Sequence, residues 1–169
     1  LVSSARFAPA GTANQLASFF IRQEVSPEDP DYLNGALKGP NQWPDDPKFR
    51  EVVSQYDSAV RALGHRLLPA FALAVGETAG FFQTYFENAT TALRLIHYPS
   101  VELLHSGDAL GIQPHTDYGF ITILAQDTIF GLEIRLPDGG WMPVPSVPGA
   151  LIINIGDALA RWTNDVFNS

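Results

Sequence analysis

From Phe49 onward the apolar residues Phe49, Val52, Val53, Tyr56, Val60, Leu63 and Leu67 recur at steps of three and four, the spacing of one helical face. The pattern continues to Val75, and it is framed by start and stop signals. Asp46 is placed to cap the first turn, Pro47 suits a first helical position where a missing N–H costs nothing, and Gly76 can end the helix. Pro69 falls inside it and predicts a kink or a division. A shorter amphipathic helix is expected over 78–87, with Phe81, Phe82, Tyr85 and Phe86 turned toward a core. His65 lies on the long helix as a surface or packing residue.

After Asn88 the period shortens. "TTALRLIHYP" (90–99), "FITILAQ" (120–126), "GLEIRLP" (131–137), "WMPVP" (141–145) and "ALIINIG" (150–156) are short β-type runs parted by Gly, Pro and Asp turns. "PDGG" at 137–140 is a hairpin signal. Before the long helix, residues 1–46 carry one apolar patch at Leu16–Ile21 and a dense run of Pro, Gly, Asn and Asp. That composition predicts turns held by tertiary contacts rather than regular structure. Helices followed by many short strands predict helices packed on a β-sandwich or barrel. The change of period divides the chain into a loop-rich and helical part, 1–88, and a β-rich part, 89–169.

Composition narrows the function classes. An apolar share of 46% is enough for a sizeable core. The net charge of −8, with the ten Lys and Arg scattered, argues against nucleic acid and against an anionic membrane surface. The absence of cysteine removes disulfides, thiolate nucleophiles and zinc fingers. No run of eighteen apolar residues and no charged-then-apolar leader is visible, so a soluble cytoplasmic protein is the expectation. The chain starts at Leu1 without Met and stops in mid-pattern at "RWTNDVFNS", as a fragment would.

"GIQPHTDYGFITILAQ" (111–126) carries the chemistry. His115 and Asp117 stand two apart at the head of an expected strand, so their side chains share a face and Thr116 turns away. Such a triplet is also the pattern of an ordinary surface pair. With one distant histidine, however, it makes the two-histidine, one-carboxylate facial triad that binds Fe(II) and leaves positions open. Pro114 before the pair, and Tyr118, Gly119 and an apolar strand after it, enrich the context.

Taken together, "LRLIHYP", "HTDYGFITILAQD" and "GLEIRLPDGGWMPVPSVPGALIINIGDALARWTND" resemble the non-haem iron, 2-oxoglutarate-dependent oxygenases, and most nearly their isopenicillin N synthase-like branch. The resemblance covers about residues 40–169. It implies a double-stranded β-helix, or jelly roll, with a long supporting helix: a mainly β, α+β fold. It implies Fe(II), 2-oxoglutarate and O2 as cofactor and co-substrates, and a small organic molecule oxidised at a C–H bond by hydroxylation, desaturation or ring closure.

Carried over by position, His115 and Asp117 match the first two iron ligands. Tyr98 matches a tyrosine that reaches the carboxylate of the co-substrate or substrate. Ile96 stands where the plant-type members have Asn, which moves the match toward the microbial branch. Asn154, Gly156 and Asp157 match an N-x-G-D turn, and Trp162 and Asn164 match the approach to the third ligand. That ligand, a histidine, and the Arg and Ser for the far carboxylate of 2-oxoglutarate are expected past Ser169. His97 and His105 are weaker substitutes for it. Tyr118, Phe120, Ile129 and Phe130 are candidate substrate contacts at the mouth of the barrel. Three other readings stay open: an oxidase of the same fold that uses O2 without 2-oxoglutarate, a non-catalytic jelly-roll binding protein, and, last, a zinc hydrolase.

Overall fold

A computed structural model of the chain describes residues 14–34, 39–100 and 111–169. They fall into two compact units, one ending at Pro114 and the other formed by His115–Ser169.

In the first unit the long helix forms as its sequence predicts. It is α2, Pro47–Ala74, and the Asp46 carboxylate accepts from the Lys48 and Phe49 amides, satisfying two donors that have no partner inside the helix. At its far end Gly76 takes a φ of 80°, and Glu77 N–H reaches Ala72 O at 3.0 Å while Gly76 N–H reaches Leu73 O at 3.1 Å. This left-handed close satisfies carbonyls that the last turn would leave open. Pro69 lies inside α2 and does not divide it. The buried positions are Val53, which belongs to the expected face, and Leu68 and Ala72, which were not among the residues named for it. Phe49, Val60, Leu63 and Leu67 are half-buried, and Val52 and Tyr56 are exposed.

Four further elements precede or follow α2. Strand β1, Ala17–Arg22, pairs antiparallel with β2, Ala92–His97, in a register running from Ala17↔His97 to Arg22↔Ala92. The apolar patch near the chain start, which the sequence marked only as an apolar stretch in a loop-rich region, is therefore a strand. A four-residue helix, α1, spans Pro30–Leu33. The expected helix over 78–87 is instead a set of tight turns ending in a 3₁₀ turn at Gln83–Phe86. Its hydrogen bonds run from Phe81 to Thr78 and from Tyr85 to Phe82, three residues back rather than four. Of its aromatics only Phe82 is fully buried, and Tyr85 is exposed.

The loop before α2 is held as expected, by tertiary contacts. The Asn41 side chain pairs with both backbone groups of Arg22, at 2.8 and 3.0 Å, and donates to Glu24 at 2.7 Å. Trp43 adds a bond to Glu24 and packs with Phe19 and Phe49 at ring separations of 5.9 and 6.5 Å. β1, the loop and the first turn of α2 are thereby joined.

The second unit holds the remaining strands. β3, Ile121–Leu124, pairs antiparallel with β6, Ile152–Ile155, and β4, Glu133–Arg135, pairs with β5, Trp141–Pro143. β4 and β5 form the hairpin that "PDGG" predicts: Gly139 has a φ of 87°, and Asp138 Oδ1 accepts from Gly140 N–H at 2.8 Å. Helix α3, Asp157–Trp162, follows β6 directly. All five β-type runs contain a strand. The described residues make three separate two-stranded sheets, not a closed barrel.

Replacing Asp46 with Ala removes both capping bonds of α2 and should lower stability by about 1 kcal/mol, whereas Asp46→Asn should stay near the parent. Urea denaturation of the three proteins measures this, and equal midpoints for Ala and parent would contradict it.

Candidate metal centre

The β3–β6 register places Ile121 opposite Ile155, so the residues before β3 run beside those after β6. Three backbone bonds follow: Gly156 N–H to Phe120 O at 3.0 Å, Asp157 N–H to Asp117 O at 2.6 Å, and Ala158 N–H to Gly119 O at 3.1 Å. Asp157 and Ala158 open α3, and early helical N–H groups have no partner within the helix. Here the carbonyls of the H-T-D-Y-G segment serve as the cap, since Gly156 has no side chain to do so.

Gly156 is required by this approach. A Cβ there would overlap the Gly119 carbonyl and lie 3.0 Å from the Asp117 carbonyl. α3, at six residues, is too short to persist alone and is anchored by Leu159, the fully buried apolar side chain of this unit. Burying a leucine contributes about 1.5–3 kcal/mol. The anchor holds the helix, and the helix holds the segment.

His115 and Asp117 lie in that segment, just before β3 rather than on it; Asp117 makes an isolated parallel bridge to Gly156. Their side chains share a side as the i, i+2 spacing predicts, with His115 Nε2 3.7 Å from Asp117 Oδ1. Imidazole and carboxylate ligands sit about 2.0–2.2 Å from a bound transition metal, so one ion can touch both. The side chains are 50% and 28% exposed, open to an ion from solvent. The pair therefore fits two positions of a metal site. Thr116 turns the other way and donates its hydroxyl to Asp157 Oδ2 at 3.1 Å.

A third donor does not join them: among the described residues no three His, Cys, Asp or Glu side chains are grouped to hold a metal. His65 is exposed on α2, His97 is exposed at the end of β2, and His105 lies outside the described residues. Asn154 faces Thr122 across the β3–β6 pair, and Trp162 packs edge-on against Phe120 at 5.9 Å. Phe120 is thus half-buried, while Tyr118, Ile129 and Phe130 stand exposed.

Tyr98 belongs to the first unit and follows β2. Its ring lies on the backbone of Gly111, where an added Cβ would come 2.5 Å from the ring edge. Burial pushes the phenol above its ordinary value of 10.0, and the charge of Arg94 pulls partly back. Tyr98 is therefore a phenol donor throughout the neutral range. Ile96 lies on β2 opposite Ser18. The role of Asp157 was not legible beyond a turn; the one signal was a Gly-Asp pair at the start of a helix.

Residues 89–169 match the 2OG-Fe(II) oxygenase superfamily. The chain is 38% identical over 168 residues to the 2-oxoglutarate-Fe(II) type oxidoreductase hxnY of Emericella nidulans, covering 94% of this chain and 48% of that protein. It is 35% identical over 161 residues to the 2-oxoglutarate-dependent dioxygenase caaD of Aspergillus niger, covering 92% and 48%. Among solved structures it resembles a full-length Neurospora crassa protein in complex with alpha-KG, with a TM-score of 0.80 and 29% identity over 94% of this chain and 48% of that one. It also resembles JOX2 in complex with 2OG, Fe and JA, with a TM-score of 0.75 and 32% identity over 93% and 44%. The chain spans about half the length of the curated relatives it matches.

Gly156→Ala should displace the H-T-D-Y-G segment and destabilise the protein by about 1–3 kcal/mol, as overpacking of a tight contact does; thermal denaturation decides, and an unchanged melting temperature would refute the close approach. Because folding raises the Tyr98 value, its stabilising contribution is present below pH 10 and is lost as pH rises through the folded value. In an alkaline absorbance titration, the difference between parent and Tyr98→Phe should therefore have its midpoint above pH 10.

Proposed function

This chain belongs to the 2OG-Fe(II) oxygenase superfamily through residues 89–169, and from that membership we propose that the protein is an Fe(II)- and 2-oxoglutarate-dependent oxygenase acting on a small organic molecule. The observation that carries the proposal is the His115–Asp117 pair, donors 3.7 Å apart on one side of a braced segment within the matched residues.

Fe(II) held by these residues would supply the oxidative decarboxylation of 2-oxoglutarate by O2 to succinate and CO2, coupled to oxidation of a substrate C–H bond. The protein's own residues do the positioning. His115 supplies a neutral imidazole nitrogen and Asp117 a carboxylate oxygen, a borderline-to-hard set without thiolate that suits Fe(II). We assign the third position to a histidine in the part of such proteins that this chain does not span. Tyr98 is the proposed donor to a carboxylate of the co-substrate or substrate, and its raised value keeps the proton available for that bond. We assign Tyr118, Phe120, Ile129 and Phe130 to the substrate side; the exposure of three of them supports this, and Phe120 acts through its packing on Trp162.

The three two-stranded sheets are read as part of a jelly roll, the fold of the superfamily, and the antiparallel pairing of all three supports that reading. A cytoplasmic setting is proposed from the acidic, cysteine-free composition, and among the described residues no helix is long and apolar enough to cross a membrane. The names of the relatives favour 2-oxoglutarate use over an oxidase that needs only O2.

His115→Ala and Asp117→Ala should each abolish Fe(II)-dependent release of labelled CO2 from 1-¹⁴C-2-oxoglutarate by the protein, with folding retained in circular dichroism. Release that survives either change would place the metal elsewhere.

A further inference from the structure

We infer that Thr116 and Asp157 form a clasp that orients the His115–Asp117 pair, making both positioning residues. The inference rests on the metal-binding reading above and deepens it.

Asp157 grips the segment twice. Its N–H holds the Asp117 carbonyl at 2.6 Å, and its Oδ2 accepts the Thr116 hydroxyl at 3.1 Å. In an extended segment alternate side chains point to opposite sides, so tying Thr116 to α3 turns both His115 and Asp117 the other way. The arrangement has work to do because these side chains are not deeply packed: half of His115 and over a quarter of Asp117 is exposed. Backbone freedom of such a segment that packing does not remove must be removed by hydrogen bonding, or be lost when metal binds.

Asp157 does not join the pair as a third donor; among the described residues no such group of three exists. Its carboxylate is engaged by Thr116 instead. The same bond therefore braces the segment and occupies one oxygen of a nearby acidic group. Outer contacts of this kind commonly alter metal affinity by about 10–100-fold.

The test is Co(II) titration of the purified protein, followed by the visible d–d bands, with hydrogen exchange at the Asp157 amide measured in metal-free protein. Thr116→Val keeps the shape of the side chain and removes the hydroxyl; it should weaken Co(II) binding by about tenfold, shift the bands and speed the exchange. Asp157→Ala should do the same, and the double variant should be no worse than either single one, because they break one interaction. Thr116→Ser and Asp157→Asn keep donor and acceptor and should restore binding to within about twofold of the parent, a rescue that a merely structural role would not single out. Affinity and exchange both unchanged in Thr116→Val would overturn the clasp, as would additive losses in the double variant. A parent protein that takes up no Co(II) would refute the proposed function instead. The exchange rates then still decide the clasp: faster in Thr116→Val supports it, and unchanged overturns it.

Discussion

The backbone of Gly156 passes so near the Gly119 carbonyl that no side chain fits between them, and the three hydrogen bonds around that point hold the segment carrying His115 and Asp117. Donors in a metal site are useful only if their separation is set before the ion arrives. An exposed loop does not set it, because each added rotamer has to be frozen out on binding. Here the unpaired N–H groups at the start of α3 and the carbonyls of the segment satisfy one another. Their mutual need fixes the backbone to which the two proposed donors are attached. The sheet contributes the register and Leu159 contributes the anchor.

A comparable economy appears in the first unit. Asn41 reproduces, with one side chain, the two-bond pairing that a neighbouring strand would offer to Arg22, and Glu24 collects Asn41 and Trp43. A Pro-rich path is thereby given a defined course without regular structure of its own. Tyr98 depends on a different omission, the missing side chain of Gly111, which lets its ring lie on the backbone.

Local signals were legible where the physics is local. The Asp46–Pro47 start and Gly76 stop of α2, the Asp138–Gly140 turn and the period-two runs each depend on residues close in sequence, and each forms as read. The departures have several causes. β1 exists because β2 lies beside it, a partner that its own short apolar patch could not reveal. Pro69 removes one bond from a long helix closed at both ends, and the remaining bonds carry the helix through. The stretch 78–87 has the spacing of an amphipathic helix, yet its Thr and aromatic residues are weak helix formers, and it settles into three-residue turns. The shared face of His115 and Asp117 was legible from their spacing, whereas the grip of Asp157 was not, because it spans 41 residues.

The register of the strand pairs also sets an order of assembly. β4 and β5 are joined by a short turn and α2 is wholly local, so both can form on microsecond scales. β3 and β6 must wait for the intervening hairpin, and Ala17 must find His97 across the whole of α2. Loop closure costs more as the loop lengthens, and non-local pairings slow the search. The long helix shortens that search by converting much of the intervening chain into a single rod. Its caps thus influence how quickly those two strands meet.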